Sequence, residues 1–416
     1  MKSFYRILSS FIVLVAFNTA NAESIKWLHL FGEDSSQYPN MVRAVEEFEA
    51  KTGHTVVMQY LENESFKAKL PTMLQSNDRP DIFYSWGGGV MYDQARAGFL
   101  RDVSSVVPDS YLNTVSAAAA DAFTFEGQRV GLPLQVSQVA WWYNKDLMSQ
   151  AGVDVSQIKM WDDLLGAVKQ IKAAGITPIC MGGKDKWPVH FVWTHLHIRN
   201  GGKGLFLESL NNGGWDRPEY IRSGEQMLEL VELEPFQKGW LAATWPDQAG
   251  FFGDGKCAMA FMGNWMYGAQ ASNSASGEGL ADANMGMFNM PMTSGGIGDS
   301  GDTLGGINGW LFSSTASDAA VELMMHYVSL DIQKEDASNG AYIPIVKGAD
   351  GSLTNPFLQQ VAKNISNSEY HQIFYDQFLG ADIGRVVNDV STDLAAGIIS
   401  AEEATQAVQE AWEFNQ

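Results

Sequence analysis

Apolar positions along this chain recur with two periods, two residues and about 3.6, and the switches between them outline its elements. Ser24-Ile25-Lys26-Trp27-Leu28-His29-Leu30-Phe31 reads as a strand closed by Gly32. Met41, Val45 and Phe48 then return at helical spacing, with Gly53 placed to cap the helix end. His54 to Leu61, rich in β-branched and aromatic residues, predicts a second strand. Phe66, Leu70, Met73 and Leu74 mark a helix that Pro71 is expected to kink. Asp81-Ile82-Phe83-Tyr84 predicts a third strand, ending at Ser85-Trp86 ahead of Gly87, Gly88 and Gly89. Strands alternating with helices predict an α/β fold with a parallel sheet. Ligands bind such sheets beyond the carboxyl ends of the strands, where Glu33, Asp34 and Trp86 fall.

A second unit opens near Gly131-Leu132-Pro133. A strand is expected through Ala140–Tyr143 and a helix over 162–174, with Leu164, Leu165, Val168 and Ile171 on one face. Ile176 to Cys180 predicts a further strand, and Cys257 to Phe261 another. Stretches rich in Gly, Ser and Asn around 272–279 and 294–306 read as turns, and the chain shows no internal repeat.

The amino terminus changes the picture. Lys2 and Arg6 precede an apolar run from Phe11 to Phe17, and Ala20-Asn21-Ala22 fits a signal peptidase site. The run is shorter than the ~20 residues a membrane span needs. Residues 1–22 are therefore expected to be a cleaved signal peptide, giving a periplasmic protein. The new terminus would be Glu23 rather than Cys, so no lipid anchor is expected. Loss of Lys2 and Arg6 takes the formal charge from −21 to −23, which repels nucleic acid and anionic lipid. Only Cys180 and Cys257 occur; export permits a bond between them but does not require one.

Candidate chemistry is dominated by flat side chains. The chain holds 13 Trp, 22 Phe and 13 Tyr, and aromatic rings pack well on the C–H faces of sugars. His190, His195 and His197 fall on a helical stretch where that spacing does not converge on a metal. Asp299 and Asp302 lack the later ligands of a calcium loop. No nucleophile elbow, phosphate loop or Cys-x-x-Cys occurs, and no cofactor is expected.

A set of ordered segments then comes into view: Phe48-Glu49-Ala50-Lys51-Thr52-Gly53, Pro80-Asp81-Ile82-Phe83, Ala97-Gly98-Phe99-Leu100 and Gly131-Leu132-Pro133. Tyr143-Asn144-Lys145-Asp146-Leu147, Ala174-Gly175-Ile176-Thr177-Pro178-Ile179, Gly255-Lys256-Cys257-Ala258-Met259 and Gly263-Asn264-Trp265 follow. In this order and spacing the chain resembles the extracellular solute-binding proteins of carbohydrate ABC importers, the maltose-binding group. One departure is that Ile158-Lys159-Met160-Trp161-Asp162-Asp163 lacks the usual capping Thr, so Asp162 is expected to cap the helix.

The resemblance implies a two-lobed periplasmic-binding-protein fold with hinge strands between the lobes and a ligand cleft there. The first lobe would take residues 23–133 and 292–342, the second 134–291 and 343–416. It also implies a monomer that carries a sugar to the transmembrane permease subunits of an importer. Trp265 falls where the family places a stacking aromatic, and Ser137 where it places a polar contact, with Gln135 and Gln138 competing. Trp187 and Trp193 bracket a segment that supplies contacts in relatives. Gly305, Gly306 and Asn308 form a loop with free amides before Trp310, itself a candidate, while Glu33 and Asp34 offer carboxylates to hydroxyls. Trp27, Trp141, Trp142 and Trp161 are assigned to packing.

Two other readings compete. A secreted glycoside hydrolase would also need aromatic platforms, with two carboxylates ~5–10 Å apart across the bond. The acidity prompts a polyamine or other cation ligand boxed by Trp rings.

Overall fold

The structure is a computed structural model and describes residues 22–416, so the expected signal peptide lies outside the described residues but for its last. β1 (Ser24–His29), α1 (Tyr38–Thr52), β2 (Thr55–Tyr60), α2 (Asn63–Gln75) and β3 (Ile82–Ser85) follow the alternation read from the sequence. β1 pairs in parallel with both β2 and β3. α1 buries Met41, Val45 and Phe48, and Gly53 closes it at φ 77, donating its N–H to the Glu49 carbonyl. α2 continues as one helix through Pro71, where the Lys67 carbonyl loses its helical donor. α3 (Gly88–Arg96) then starts directly behind Trp86.

The feature that organises the molecule is β4 (Gly131–Asn144), one strand with two sets of partners. After it come α4 (Trp161–Ala173), α5 (Trp187–Asn212), β5 (Met259–Gly263), β6 (Met285–Phe288) and β7 (Thr303–Phe312). From Val139 onward β4 pairs antiparallel with β5 and β6. From Gly131 to Gln138 it pairs antiparallel with β7. β7 is shared in the same way. Its last residues pair with β3, whereas Thr303–Gly305 pair in parallel with β9 (His371–Ile373), which follows the short β8 (Ile343–Pro344). The sheet order is β8-β4-β7-β3-β1-β2. α6 (Tyr375–Phe378) and α7 (Ala381–Ala395) follow β9.

Two hydrophobic cores sit on either side of this crossing. One holds Trp27, Phe83, Trp310 and Tyr327; the other holds Trp141, Trp142, Trp161, Trp193 and Phe261. The return to the first lobe, expected at residue 292, falls later, inside β7, because Leu304 still packs in the second core and Trp310 in the first. The two strands approach so closely that a Cβ on Gly305 would lie 1.8 Å from the Ser137 carbonyl oxygen, and one on Gly309 2.2 Å from that of Leu132. Only glycine fits there.

Several local expectations change. Ile176–Cys180 forms no ladder strand: Ile179 makes single bridges to Phe236 and Met259, and Pro178 has no N–H to extend them. Asp163 rather than Asp162 serves the start of α4, accepting the Met160 N–H at 2.8 Å. Cys180 and Cys257 are disulfide-bonded with Cα atoms 5.6 Å apart, closing a long loop within the second lobe. Loop-closure entropy for that separation of 77 residues is about 4.5 kcal/mol. The Asp299–Asp302 turn is organised by a cation of the protein itself. Buried Arg199 donates to the carbonyls of Asp299, Ser300, Asp302 and Met290.

Candidate ligand-binding cleft

The carboxyl ends of β1 and β3 and the start of α2 form one wall of the space between the lobes. Phe31 and Tyr84 meet edge to face with centroids 5.4 Å apart, and Tyr84 meets Trp86 in the same way at 5.3 Å. The opposite wall comes from the second lobe. Trp187 opens α5 and lies 5.7 Å from Trp245 and 6.4 Å from Trp265; Phe191, one turn on, lies 5.1 Å from Phe374. Trp265 is half-buried at the end of β5. A Cβ on Gly263 would strike its ring at 2.0 Å, so the missing side chain makes the seat for the indole.

Polar groups line the seam between these walls. Gln135 donates to the Tyr84 hydroxyl at 3.0 Å, and the Ser137 hydroxyl accepts the Gly306 N–H at 3.0 Å, which leaves its own proton for another acceptor. Asn308 is buried with an Oδ1 that has no partner. Asn264 accepts the Gln138 N–H at 3.0 Å through Oδ1, leaving its amide N–H groups for other acceptors. Asp376 and Gln377 are each 8% exposed and close the floor. Asp376 accepts from the amides of Gln377 and Asn388 at 3.2 and 3.4 Å and lies 3.9 Å from His190, which burial holds below its usual range and therefore neutral. Burial pushes the Tyr84 phenol well up, so it stays protonated.

One cation stands between the two walls. Lys67 Nζ stands 5.4 Å from the Trp86 ring and 5.7 Å from that of Trp187, bridging the two walls, and pairs with Glu64 at 3.4 Å. Burial pushes the Glu64 carboxyl up, with the Lys67 charge opposing. Asp185, across the mouth, is also raised by burial and accepts the Trp245 N–H.

The structure brings Trp86, Gln135, Ser137, Trp187, Trp265 and Asn308 around one cavity of about 240 Å³. A chamber of about 380 Å³ adjoins it toward Asp34 and Tyr60, placing Asp34 at the mouth. Another of about 650 Å³ adjoins it behind Trp86. Other candidates stand apart. Trp193 and Trp310 have no exposed surface and pack in the two cores, so neither has a face free for a ligand. Gly305 is locked in pairing with both Gln138 and Ile373, so the expected loop with free amides is strand instead. Glu33 is exposed and lines none of the three spaces. Gln138 is tied to Asn289 and Asn364 behind the cleft. Trp245, Phe191, Phe374 and Asp376 were missed. Thr244-Trp245-Pro246-Asp247 is a capping box that fixes Trp245 at a helix start, a signal readable in the sequence. His190, His195 and His197 are buried in α5, and no group of three metal-ligating side chains occurs among the described residues.

Two lobes joined by shared strands, with an aromatic-walled cleft between them, define a two-lobed binding protein of the periplasmic type. The chain belongs to the family of bacterial extracellular solute-binding proteins, whose sequence pattern matches residues 32–335. An uncharacterised ABC transporter extracellular-binding protein of Pyrococcus horikoshii is 24% identical over 206 residues, 49% of this chain and 46% of that protein. A multiple sugar-binding protein of Streptococcus mutans is 23% identical over 213 residues, 47% of each. The chain thus spans about half the length of the curated relatives it matches. A chitin oligosaccharide binding protein shares the fold with a TM-score of 0.85 at 23% identity, over 94% of this chain and 98% of that one. So does a protein from work on xylan utilization by Caldanaerobius polysaccharolyticus, with a TM-score of 0.85 at 24% identity, over 93% and 99%. Among the described residues no helix is long and apolar enough to cross a membrane.

Proposed function

We propose that this protein is the sugar-capturing component of an ABC-type importer: exported, freed of residues 1–22, and active as a monomer that hands its ligand to the membrane permease. The observation that carries the reading is the pair of facing aromatic walls, Phe31, Tyr84 and Trp86 opposite Trp187, Trp245 and Trp265, with amide and hydroxyl groups along the seam. Flat rings above and below with hydrogen-bonding groups at the edge match a pyranose, which is apolar on its faces and polar at its rim. The names of the relatives, sugar-binding and oligosaccharide-binding proteins among them, support it.

The charges favour a neutral ligand. Lys67, the cation lining the central cavity, is matched by Glu64, while in the adjoining chamber Lys186 and Arg385 share the carboxylate of Asp389. A phosphate or carboxylate in the central cavity would meet a lysine that is already paired, although a relative of Shigella flexneri, 32% identical over 145 residues, is an sn-glycerol-3-phosphate-binding protein. A polyamine would meet Lys67 in the aromatic box it needs. Asp376 alone among the residues lining the central cavity is a carboxylate, where a glycosidase uses two, and the family is one of binding proteins. A thermal-shift screen over neutral mono- to tetrasaccharides, uronates, sn-glycerol 3-phosphate and spermidine tests the reading. The true ligand at 100 times its Kd stabilises the fold by about 2.7 kcal/mol. Stabilisation by spermidine or sn-glycerol 3-phosphate with none by any neutral sugar would sink it.

A further inference from the structure

β4 and β7 are not the only segments shared between the lobes. Around β8 the chain crosses again, with Tyr342 and Val346 packed in the first core and Ile343 and Leu353 in the second. The two crossings run side by side, Ile343 pairing with Val136 and Pro344 with Gln135. Both are irregular where they meet. The register of β4 against β7 shifts between Pro133 and Gln135, so Leu134 stands outside that ladder as the strand leaves the first core. β8 ends at Pro344, so Ile345 and Val346 stand outside a ladder as well.

One side chain serves the backbone of both segments. Gln333, fully buried on the helix Leu330–Ser338, donates through Nε2 to the Leu134 carbonyl at 2.8 Å. Its Oε1 accepts the N–H groups of Ile345 and Val346, each at 3.0 Å. The same helix is tied to the crossing a turn further on. The Asp336 carboxylate accepts the Tyr342 hydroxyl at 2.6 Å, and the Asp336 carbonyl accepts the Ala341 N–H at 2.9 Å. Gln135 and Ala341, neighbours of residues held in this way, line the central cavity. A buried backbone group without a partner is costly, so these bonds restrict where the two segments can bend.

Resting on the reading of the protein as a clamp whose lobes close on a ligand, we propose that Gln333 is a positioning residue that fixes the pivot of that closure. It holds β4 at Leu134, and the third segment at Ile345 and Val346, as one unit with the first lobe. The grip is made in the arrangement in which Lys67 bridges Trp86 and Trp187, so its loss favours wider separations of the two walls.

Spin labels at Lys69→Cys and Glu225→Cys, exposed positions in the first and second lobes, read that separation by pulsed electron resonance with no ligand added. Gln333→Met removes all three bonds at similar volume. Gln333→Glu keeps those to Ile345 and Val346 and sets an oxygen against the Leu134 carbonyl. A hydrogen bond is worth up to roughly tenfold in an equilibrium, so Gln333→Met should move the ligand-free population about tenfold or more toward the wider separation, and Gln333→Glu in the same direction. Trp161→Ala, which loosens the second core away from the pivot, should lower the melting temperature and leave the distances as in the parent. Parent-like distances in the folded Gln333→Glu variant, or an equal shift in Trp161→Ala, overturn the pivot and make Gln333 an ordinary core contact. Neither outcome touches the sugar reading, which the thermal-shift screen decides.

Discussion

His29, His197 and His371 show how single buried groups set the conditions under which this protein holds together. Burial lowers His29 and His371 to about 4 and His197 to about 3. Their unfolded value is near 6.5, so below that pH the unfolded chain takes up protons that the folded one refuses. Stability then falls as the pH drops, by about 1.4 kcal/mol per pH unit for each histidine inside its window. Asp336, raised to about 6 by burial, acts the other way between its two pKa values and offsets about one of them. Calorimetry should show a melting temperature that declines from pH 7 to pH 4.5, with a shallower decline for His371→Gln. A melting temperature that is flat or rising over that range would refute the assignment. At this scale the sequence was informative where a residue's surroundings are local. Trp86 is set by a strand end and Trp265 by the turn after β5. Phe374 and Asp376 were invisible because their place depends on a tail that returns to the cleft long after the walls are laid down.

The ends of elements, more than their middles, build the cleft. β5 stops at Gly263, and the next two residues, Asn264 and Trp265, both face the ligand space. Trp265→Ala should weaken binding of the sugar found by screening by about 2–4 kcal/mol, as for a buried aromatic anchor. Trp265→Phe should keep part of that affinity, since a smaller ring is still flat. Gly263→Ala should mimic much of the loss although it removes no contact, because the new methyl takes the indole's seat. Trp161→Ala, in the second core and 2% exposed, should instead cost about 3–5 kcal/mol of stability and leave affinity nearly intact. Calorimetric titration beside melting curves separates these outcomes; parent-like affinity in Trp265→Ala would remove the platform. Helices and strands with a clear period were legible in order and kind. Ile176–Cys180 was not, since an extended apolar run reads as a strand whether or not neighbours complete its ladder. Trp193 and Trp310 misled because an aromatic near a binding segment looks the same in sequence whether it faces a cleft or a core.

At the scale of the molecule, strands β4 and β7 are shared between the lobes and cross as close-packed backbone. A ligand that touches both walls favours the closed arrangement by its differential affinity for it. Small-angle X-ray scattering should therefore give a smaller radius of gyration at saturating sugar than without it. An unchanged radius in protein shown to bind would count against closure as the signal to a permease. The two-lobed plan was legible from ordered motifs, but the point of return within β7 was not, because one strand serving two cores carries no break in its apolar pattern.

The place of β7 in the sheet also dictates a timetable. It lies between β4 and β3, yet it is made only after more than half the chain has followed β3. The amino-terminal lobe, first off the ribosome, is thus left with an unfilled slot at its centre until Thr303–Phe312 emerges. Contacts of such long sequence separation form slowly. The amino-terminal sheet therefore cannot be completed until late in synthesis, however early its first strands are made.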